Sequence, residues 1–556
     1  MTAQRPPSLP PYETHEVLNQ PPPLVDYNLF TTDRALSDAV RREGAGWAAG
    51  DLGNFGDKLG RAETIDLGIL ANKFPPALQT FDRYGRRRDA VEFHPAWHEL
   101  MAISVGQGLH ASPWAEPKPG AHVARAASVI MMVQIESGVQ CPTTMTYGVV
   151  PALRKQPEIA AEWLPRIFSR HYDPRFRPAA EKTGAMMGMG MTEKQGGSDL
   201  RTNSTRAVPV NGGGPGAEYR ITGHKWFFSA PMCDAFLILA QAPGGLTCFF
   251  LPRWSPDGAP NAIRIQRLKD KVGNKSNASS EVEFHGAYAR MVGEEGRGIP
   301  NIIEMGNYTR LDCALGTAGL MRQAVAQAAH HASYRTAFQR KLIDQPLMTN
   351  VLADLAVESE AATAVVLRLA RAYDRQDDDE IEGPFRRLMT PAVKYWICKR
   401  GASLGVEAME VLGGNGYVEE AVLARVYREM PLNSIWEGSG NVMCLDVLRA
   451  LTRTPRAMDV YRAELAAARG GDSRLDAFVR RLEQEFADLG NLESRARRLV
   501  EHMVLALQGA VLVQHGDPAV ADAFCASRLD RDWGGAFGTL PPGSKLRQIA
   551  ERAVPA

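Results

Sequence analysis

Apolar spacing changes period twice along this chain, and those two changes confine it to helical regions around a central β-rich segment. From about residue 31 to 182 apolar residues recur at three- and four-residue steps, interrupted by proline and glycine, as in a multi-helix domain. From about 183 to 289 short aromatic or β-rich runs replace them, at 219–221, 226–228, 235–240, 246–251 and 282–284, parted by glycine, proline and asparagine. A small barrel or sandwich is the economical reading. After Gly298 the helical period returns, with Leu352, Leu355, Ala362, Val366, Leu369 and Tyr373 on one face of a bundle helix. Past Thr454, Pro455 and the Gly470-Gly471 pair mark a junction to a fourth, helical region carrying Leu475, Phe478, Leu482, Phe486 and Leu489. The expected domains are therefore 1–182, 183–289, 290–453 and 454–556, with no internal repeat.

With 45% hydrophobic and 23% charged residues in 556, the chain is of ordinary globular type and long enough for three or four domains. A formal net charge of +1 supplies no global attraction for nucleic acid or anionic membrane, so any such binding must come from a local patch. The seven cysteines form no C-x-x-C pair, which argues against a metal ribbon or a disulfide framework and suits a reducing cytoplasm. Arg5 and the prolines between Pro6 and Pro23 describe an extended arm without a secretory apolar core. The longest apolar stretch, 499–513, contains Glu501, His502 and Gln508 and is too short and polar to span a bilayer. No metal is expected. His94 and His98 lack a third ligand at clear spacing, and Pro95 between them belongs in the first turn of a helix.

The stretch Ile435-Trp436-Glu437-Gly438-Ser439-Gly440-Asn441 sets a carboxylate in a glycine-rich turn between helical segments. Flanking glycines tolerate positive φ and let a backbone approach a planar ligand closely, which suits a base beside a flat ring system. Alone, it reads equally well as a helix C-cap glycine beside a surface glutamate. Two further segments carry similar weight. Met191-Thr192-Glu193-Lys194-Gln195-Gly196-Gly197-Ser198-Asp199 is a polar glycine loop able to offer backbone N–H groups and hydroxyls to a phosphate-bearing ligand, or an ordinary strand connection. Gly223-His224-Lys225-Trp226-Phe227-Phe228-Ser229 ends an aromatic strand on a hydroxyl, and alone reads more readily as a buried strand.

Taken in order, these segments resemble the acyl-CoA dehydrogenase family, in which helices, a β domain and a helical bundle succeed one another and the bundle closes on a glutamate loop. Arg335-Thr336-Ala337-Phe338 resembles the family's R-x-x-F-G, with Gln339 in place of glycine, and Gly413-Gly414-Asn415-Gly416-Tyr417 and Tyr427-Arg428-Glu429 precede the loop in family order. The resemblance implies a mainly α fold with a central β domain plus an extra C-terminal helical domain. It implies FAD as cofactor and Glu437 as the base that removes an α-proton. Cofactor contacts are expected from Met191, Thr192, Gly197, Ser198, Phe227, Phe228, Ser229, Ile435, Trp436, Gly438, Ser439, Gly440 and Asn441, and from Arg335 onto the FAD of a neighbouring subunit. Ala230 stands where the family has Asn, and Trp436 where it has Tyr, so the pocket and substrate are left open.

The words 93–98, 191–199, 225–229 and 433–441, with the extra helices, are similar to a DNA-associated, alkylation-response branch of this family rather than to its metabolic dehydrogenases. That likeness implies a cytoplasmic homotetramer binding double-stranded DNA without sequence preference, with an acyl-CoA or other small molecule as substrate. Arg449, Arg474, Arg480, Arg481, Arg497, Arg498, Arg528 and Arg531 are then the candidate phosphate contacts, although acidic residues nearly equal them and paired or solvated helix faces are the ordinary reading.

Overall fold

The computed structural model describes residues 14–377, 379–488 and 490–555, so Arg5, the first prolines of the arm and Leu489 lie outside the described residues. The N-terminal region is helical, and its caps follow from its sequence. The Asp33 side chain accepts from Leu36 N at the start of Arg34–Arg42. His94 caps Pro95–Gln107 with Pro95 in the first turn, and Gly108 ends that helix at φ 83°. One element departs from the helical pattern, a hairpin of β1 (Ala77–Phe81) and β2 (Arg87–Glu92). Its strands are exposed or half-buried except at Asp89, so no buried period announced it. Helices α1 (Ala121–Ile135) and α2 (Gln140–Leu153) are buried on nearly every side and form the wall facing the rest of the molecule.

The central sheet comprises β3 (Met187–Gly190), β4 (Arg206–Pro209), β5 (Glu218–Ser229), β6 (Ala235–Ala242), β7 (Gly245–Pro252), β8 (Ile263–Leu268) and β9 (Ser279–Val292). The order β6-β4-β5-β9-β7, with β7 pairing back to β6, closes a five-strand barrel, flanked by β3 on β6 and β8 on β9. Closure leaves few open edges. Tyr219, Ile221, Lys225 and Phe228 of β5 are buried, while Thr222 and Phe227 are exposed.

The third layer is a bundle of α3 (Gly298–Tyr334), α4 (Pro346–Arg375), α5 (Glu382–Val411) and α6 (Gly440–Arg453). All six residues expected on one face of α4 are buried, and so are Ala353, Val357, Ala361 and Val365. Burial exceeds one face because α7 (Leu492–His515) and Leu546–Ala553 cover the other side of α4. Helix α7 contains the apolar stretch 499–513 and is a core helix; no described helix is long and apolar enough to cross a membrane.

Candidate functional site

The glutamate loop joins the short helix Leu432–Ser434 to α6, with Ser439 as the N-cap residue. Glu437 has φ 61° and Gly438 φ 112°, so the turn needs left-handed backbone at two consecutive residues, one of them not glycine. Two cations hold it there. Lys394 Nζ of α5 donates to Trp436 O at 2.8 Å and Gly438 O at 2.5 Å. Arg310 Nε of α3 donates to Glu437 O at 3.0 Å, while its guanidinium pairs with Asp446 of α6 at 2.9 Å. The indole of Trp436 donates to Asn433 Oδ1 at 3.0 Å.

The Glu437 carboxylate accepts from Thr309 Oγ1 at 2.8 Å. Burial raises its pKa above the usual carboxylate range, opposed by the Thr309 hydrogen bond and the charges of Arg310 and Lys394. Thr309, Arg310 and Lys394 carried no local motif. They stand on bundle helices far from residue 437 in sequence, and only the fold brings them to it.

The β domain presents Ser229 at the end of β5, its hydroxyl 3.3 Å from that of Ser279. Cys141 of α2 lies beside the side chains of Asn277 and Ser229 and feels the charge of Glu437, so the barrel end and the glutamate loop face one place. Burial pushes its thiol up to about 12. Both amide atoms of Asn277 are buried and have no hydrogen-bond partner among the described residues. A buried unpaired amide is costly and calls for a partner, which a planar ring with donor and acceptor edges supplies. Phe227 is 50% exposed beside Lys269, in position for a flat ligand. Phe228 departs from its expected role: it is fully buried in the barrel against Phe236 and Phe284 and offers no surface to a cofactor.

In the first glycine loop, Thr192 accepts from Trp226 N through its carbonyl at 2.9 Å, and Gly197 lies so close that a Cβ there would sit 2.4 Å from Thr192 Oγ1. Met191 is half-buried and Ser198 exposed. Glu193, not singled out in the sequence, anchors this loop from inside the barrel. Its carboxylate receives Lys225 Nζ at 2.8 Å, Ser204 N at 2.7 Å and Thr205 N at 3.2 Å. Ile435, Ser439 and Asn441 are exposed, and Gly440 packs its backbone near Tyr395 and Lys399. Arg335 donates to Asn19 O at 2.6 Å, next to the hairpin that lifts Phe338 to 91% exposure. The hydroxyls, the half-exposed Phe227 and the orphaned Asn277 amide fit a flavin, which Ser229 and the loops 191–198 and 438–441 would hold.

The arginines of the C-terminal half divide sharply. Arg528 departs from its expected role as a surface contact: it is 7% exposed and pairs with Asp354 at 2.5 Å and Glu358 at 2.9 Å. Those carboxylates of α4 are buried one turn apart and require counter-charges. Arg528→Leu is expected to lower unfolding free energy by about 3–5 kcal/mol, as an orphaned buried charge does, measured by urea denaturation. Arg474 is held by Asp472 and Asp522, Arg498 by Glu485, Arg497 by the Tyr395 hydroxyl, and Arg481 by Leu529 O. Arg449 is exposed, 3.6 Å from Asp446. Arg480 and Arg531 are exposed, with no ion pair among the described residues.

Residues 19–174 match the model of the "Adaptive response protein AidB N-terminal domain", 188–287 the acyl-CoA dehydrogenase middle domain, and 296–452 the acyl-CoA dehydrogenase C-terminal domain. The chain is 48% identical over 521 residues to "Putative acyl-CoA dehydrogenase AidB" of Escherichia coli, covering 93% of this chain and 95% of that protein. It is 29% identical over 495 residues to "Acyl-CoA dehydrogenase family member 11" of Caenorhabditis elegans, covering 85% and 75%. The crystal structure of Caenorhabditis elegans ACDH-11 in complex with C11-CoA superposes with a TM-score of 0.85 at 26% identity, covering 93% and 94%. The chain therefore belongs to the acyl-CoA dehydrogenase family, with an AidB-type domain at its N-terminus.

Proposed function

We propose that this protein is a cytoplasmic FAD flavoprotein that binds double-stranded DNA without strong sequence preference and protects it from alkylation, retaining weak or vestigial acyl-CoA dehydrogenase chemistry as a homotetramer. The observation that carries this reading is the pairing of an ordered base loop with a region beyond residue 453 that displays Arg480 and Arg531, exposed and without an ion pair among the described residues, in a chain 48% identical over nearly its whole length to AidB. FAD is the cofactor. Arg335, beside the exposed Phe338, would contact the FAD of a neighbouring subunit.

Fluorescence anisotropy of labelled duplex DNA across a salt series tests the DNA reading. Binding with a steep salt slope and equal affinity for scrambled sequence is expected, because phosphate contacts release counterions and read no bases. Reversing charge at Arg480, Arg498 and Arg531 should flatten that slope. Absence of binding at low salt would overturn the reading.

A second reading, a metabolic dehydrogenase of a short or branched acyl-CoA, is favoured by the poised Glu437, and the relative solved with C11-CoA supports an acyl-CoA substrate without its chain length. The bound flavin supplies the hydride acceptor. Glu437 takes the α-proton, its basicity raised by burial and its carboxylate aimed by Thr309. Lys394 and Arg310 keep the loop in its left-handed turn. Thr309→Val is expected to slow anaerobic flavin reduction by an acyl-CoA roughly tenfold, since a hydrogen bond to a charged group is worth about 1.5–3 kcal/mol. It should also move the rising limb of the pH–rate profile upward, because the hydroxyl lowers the pKa of Glu437. An unmoved profile would show that Thr309 does not position the base.

A further inference from the structure

A second cavity, of about 210 Å³, lies where the C-terminal helices meet α4 and α5, apart from the glutamate loop. That is below the roughly 300–1,000 Å³ of sites for drug-sized ligands and suits one planar ring system. Its walls are flat. Trp396, Phe478 and Trp533 line it together with the guanidinium of Arg400, which lies 5.7 Å and 5.2 Å from the two indole rings. The walls are also held. Trp396 Nε1 donates to Gln508 Oε1 at 3.2 Å and Trp533 Nε1 to Asp354 Oδ2 at 3.1 Å, while Arg400 and Arg528 share the carboxylates of Glu358 and Asp354. Wall charges therefore cancel.

What remains is one acceptor inside and cations at the edge. Glu501 lines the cavity with no hydrogen-bond or ion-pair partner among the described residues, and burial raises its pKa above the usual range. Arg531 lines it too, exposed and unpaired among the described residues, at φ 65°. The charge of Arg498 reaches both Glu501 and His502, and Arg498 is 62% exposed. Aromatic and guanidinium planes stack on bases of any kind, a carboxylate accepts from ring N–H and amino donors, and arginines at a rim take phosphate.

We propose that this cavity is a nucleotide site, in which a purine base stacks against the aromatic and guanidinium planes that line it, donates to Glu501, and leaves its phosphate to Arg531 and Arg498. The nucleotide comes either free or as one base swung out of a DNA strand. The second source rests on the DNA reading above; the first does not.

Three probes separate the sources: 2-aminopurine deoxynucleoside monophosphate, a single strand containing 2-aminopurine, and a duplex with 2-aminopurine opposite a mismatch. Each is titrated with the full-length holoprotein, reading base fluorescence alongside the anisotropy of a remote label. Saturable change in base fluorescence is expected for the wild type, weakened at least tenfold in Glu501→Leu and in the cavity-filling Leu505→Trp. Both variants are first checked for FAD content and melting temperature, and either one alone suffices. Anisotropy without a base signal would overturn the pocket and leave the DNA reading standing. A signal from the free nucleotide without DNA binding would keep the pocket and remove the DNA reading. No signal from any probe, or equal signals in both variants, would overturn the proposal.

Discussion

Replacing Glu437 with glutamine is expected to slow anaerobic bleaching of the bound flavin by an acyl-CoA by about 10²–10⁴-fold, the ordinary contribution of a positioned general base. Glutamine keeps the shape of the side chain and can still accept from Thr309, so the loss reports proton transfer rather than folding. The pH dependence has a definite sign. Burial lifts the carboxyl of Glu437 above its usual range in the folded protein, so the wild-type rate rises with pH through an inflection above that of an ordinary glutamate, and the variant profile lacks this limb. The same shift has a cost in stability. Between the ordinary carboxylate pKa and the raised one, the folded chain binds more protons than the unfolded chain, so stability falls as pH rises through that window. Glu437→Gln removes the penalty and should melt no lower than the wild type at neutral pH. A variant that bleaches as fast as the wild type would remove Glu437 from the chemistry, and DNA binding should be unchanged in either case.

The loop at 435–441 was legible because its chemistry is local: a carboxylate, two glycines and a helix start lie within seven residues. What holds that loop was not legible. Thr309 and Arg310 sit on α3, 128 and 127 residues away, and inside a helix their spacing says nothing about a distant turn. The β domain shows a subtler limit. Strand alternation assigns faces by parity, but pairing of β5 with β9 shifts register between Lys225 and Phe228. Lys225 and Phe228 thus both point inward although three apart, and of two adjacent phenylalanines only Phe227 reaches the ligand side. Arginines failed for a related reason. Arg528 and Arg531 are indistinguishable as letters, yet one meets the buried carboxylates of α4 and the other meets solvent. A charge balance near zero over the chain conceals both.

The Lys225–Glu193 pair yields a stability prediction as large as that at Arg528, because both side chains are 0% exposed and the pair lies inside the barrel. Lys225→Met is expected to lower unfolding free energy by about 3–5 kcal/mol, the loss incurred when one partner of a buried ion pair is removed and the other is stranded. The double variant Glu193→Gln with Lys225→Met should recover part of that loss, since glutamine leaves no stranded charge and its one carbonyl oxygen still accepts from one of Ser204 N and Thr205 N, which meet different oxygens of the carboxylate. Acid separates the two further. Burial works against the charge of Glu193, but Lys225 and the Ser204 and Thr205 donors outweigh it and hold the pKa down to about 2 from an ordinary 4.5. Between those values the unfolded chain binds more protons, so the wild type loses this contribution as pH falls through the window, and the double variant has none to lose. Function follows from the same anchor. Glu193 fixes the loop carrying Thr192, Gly197 and Ser198, so the single variant should also release FAD more readily, read as flavin retained after gel filtration. A Lys225→Met protein that melts within about 1 kcal/mol of wild type and keeps its flavin would show that the loop is held by its backbone alone.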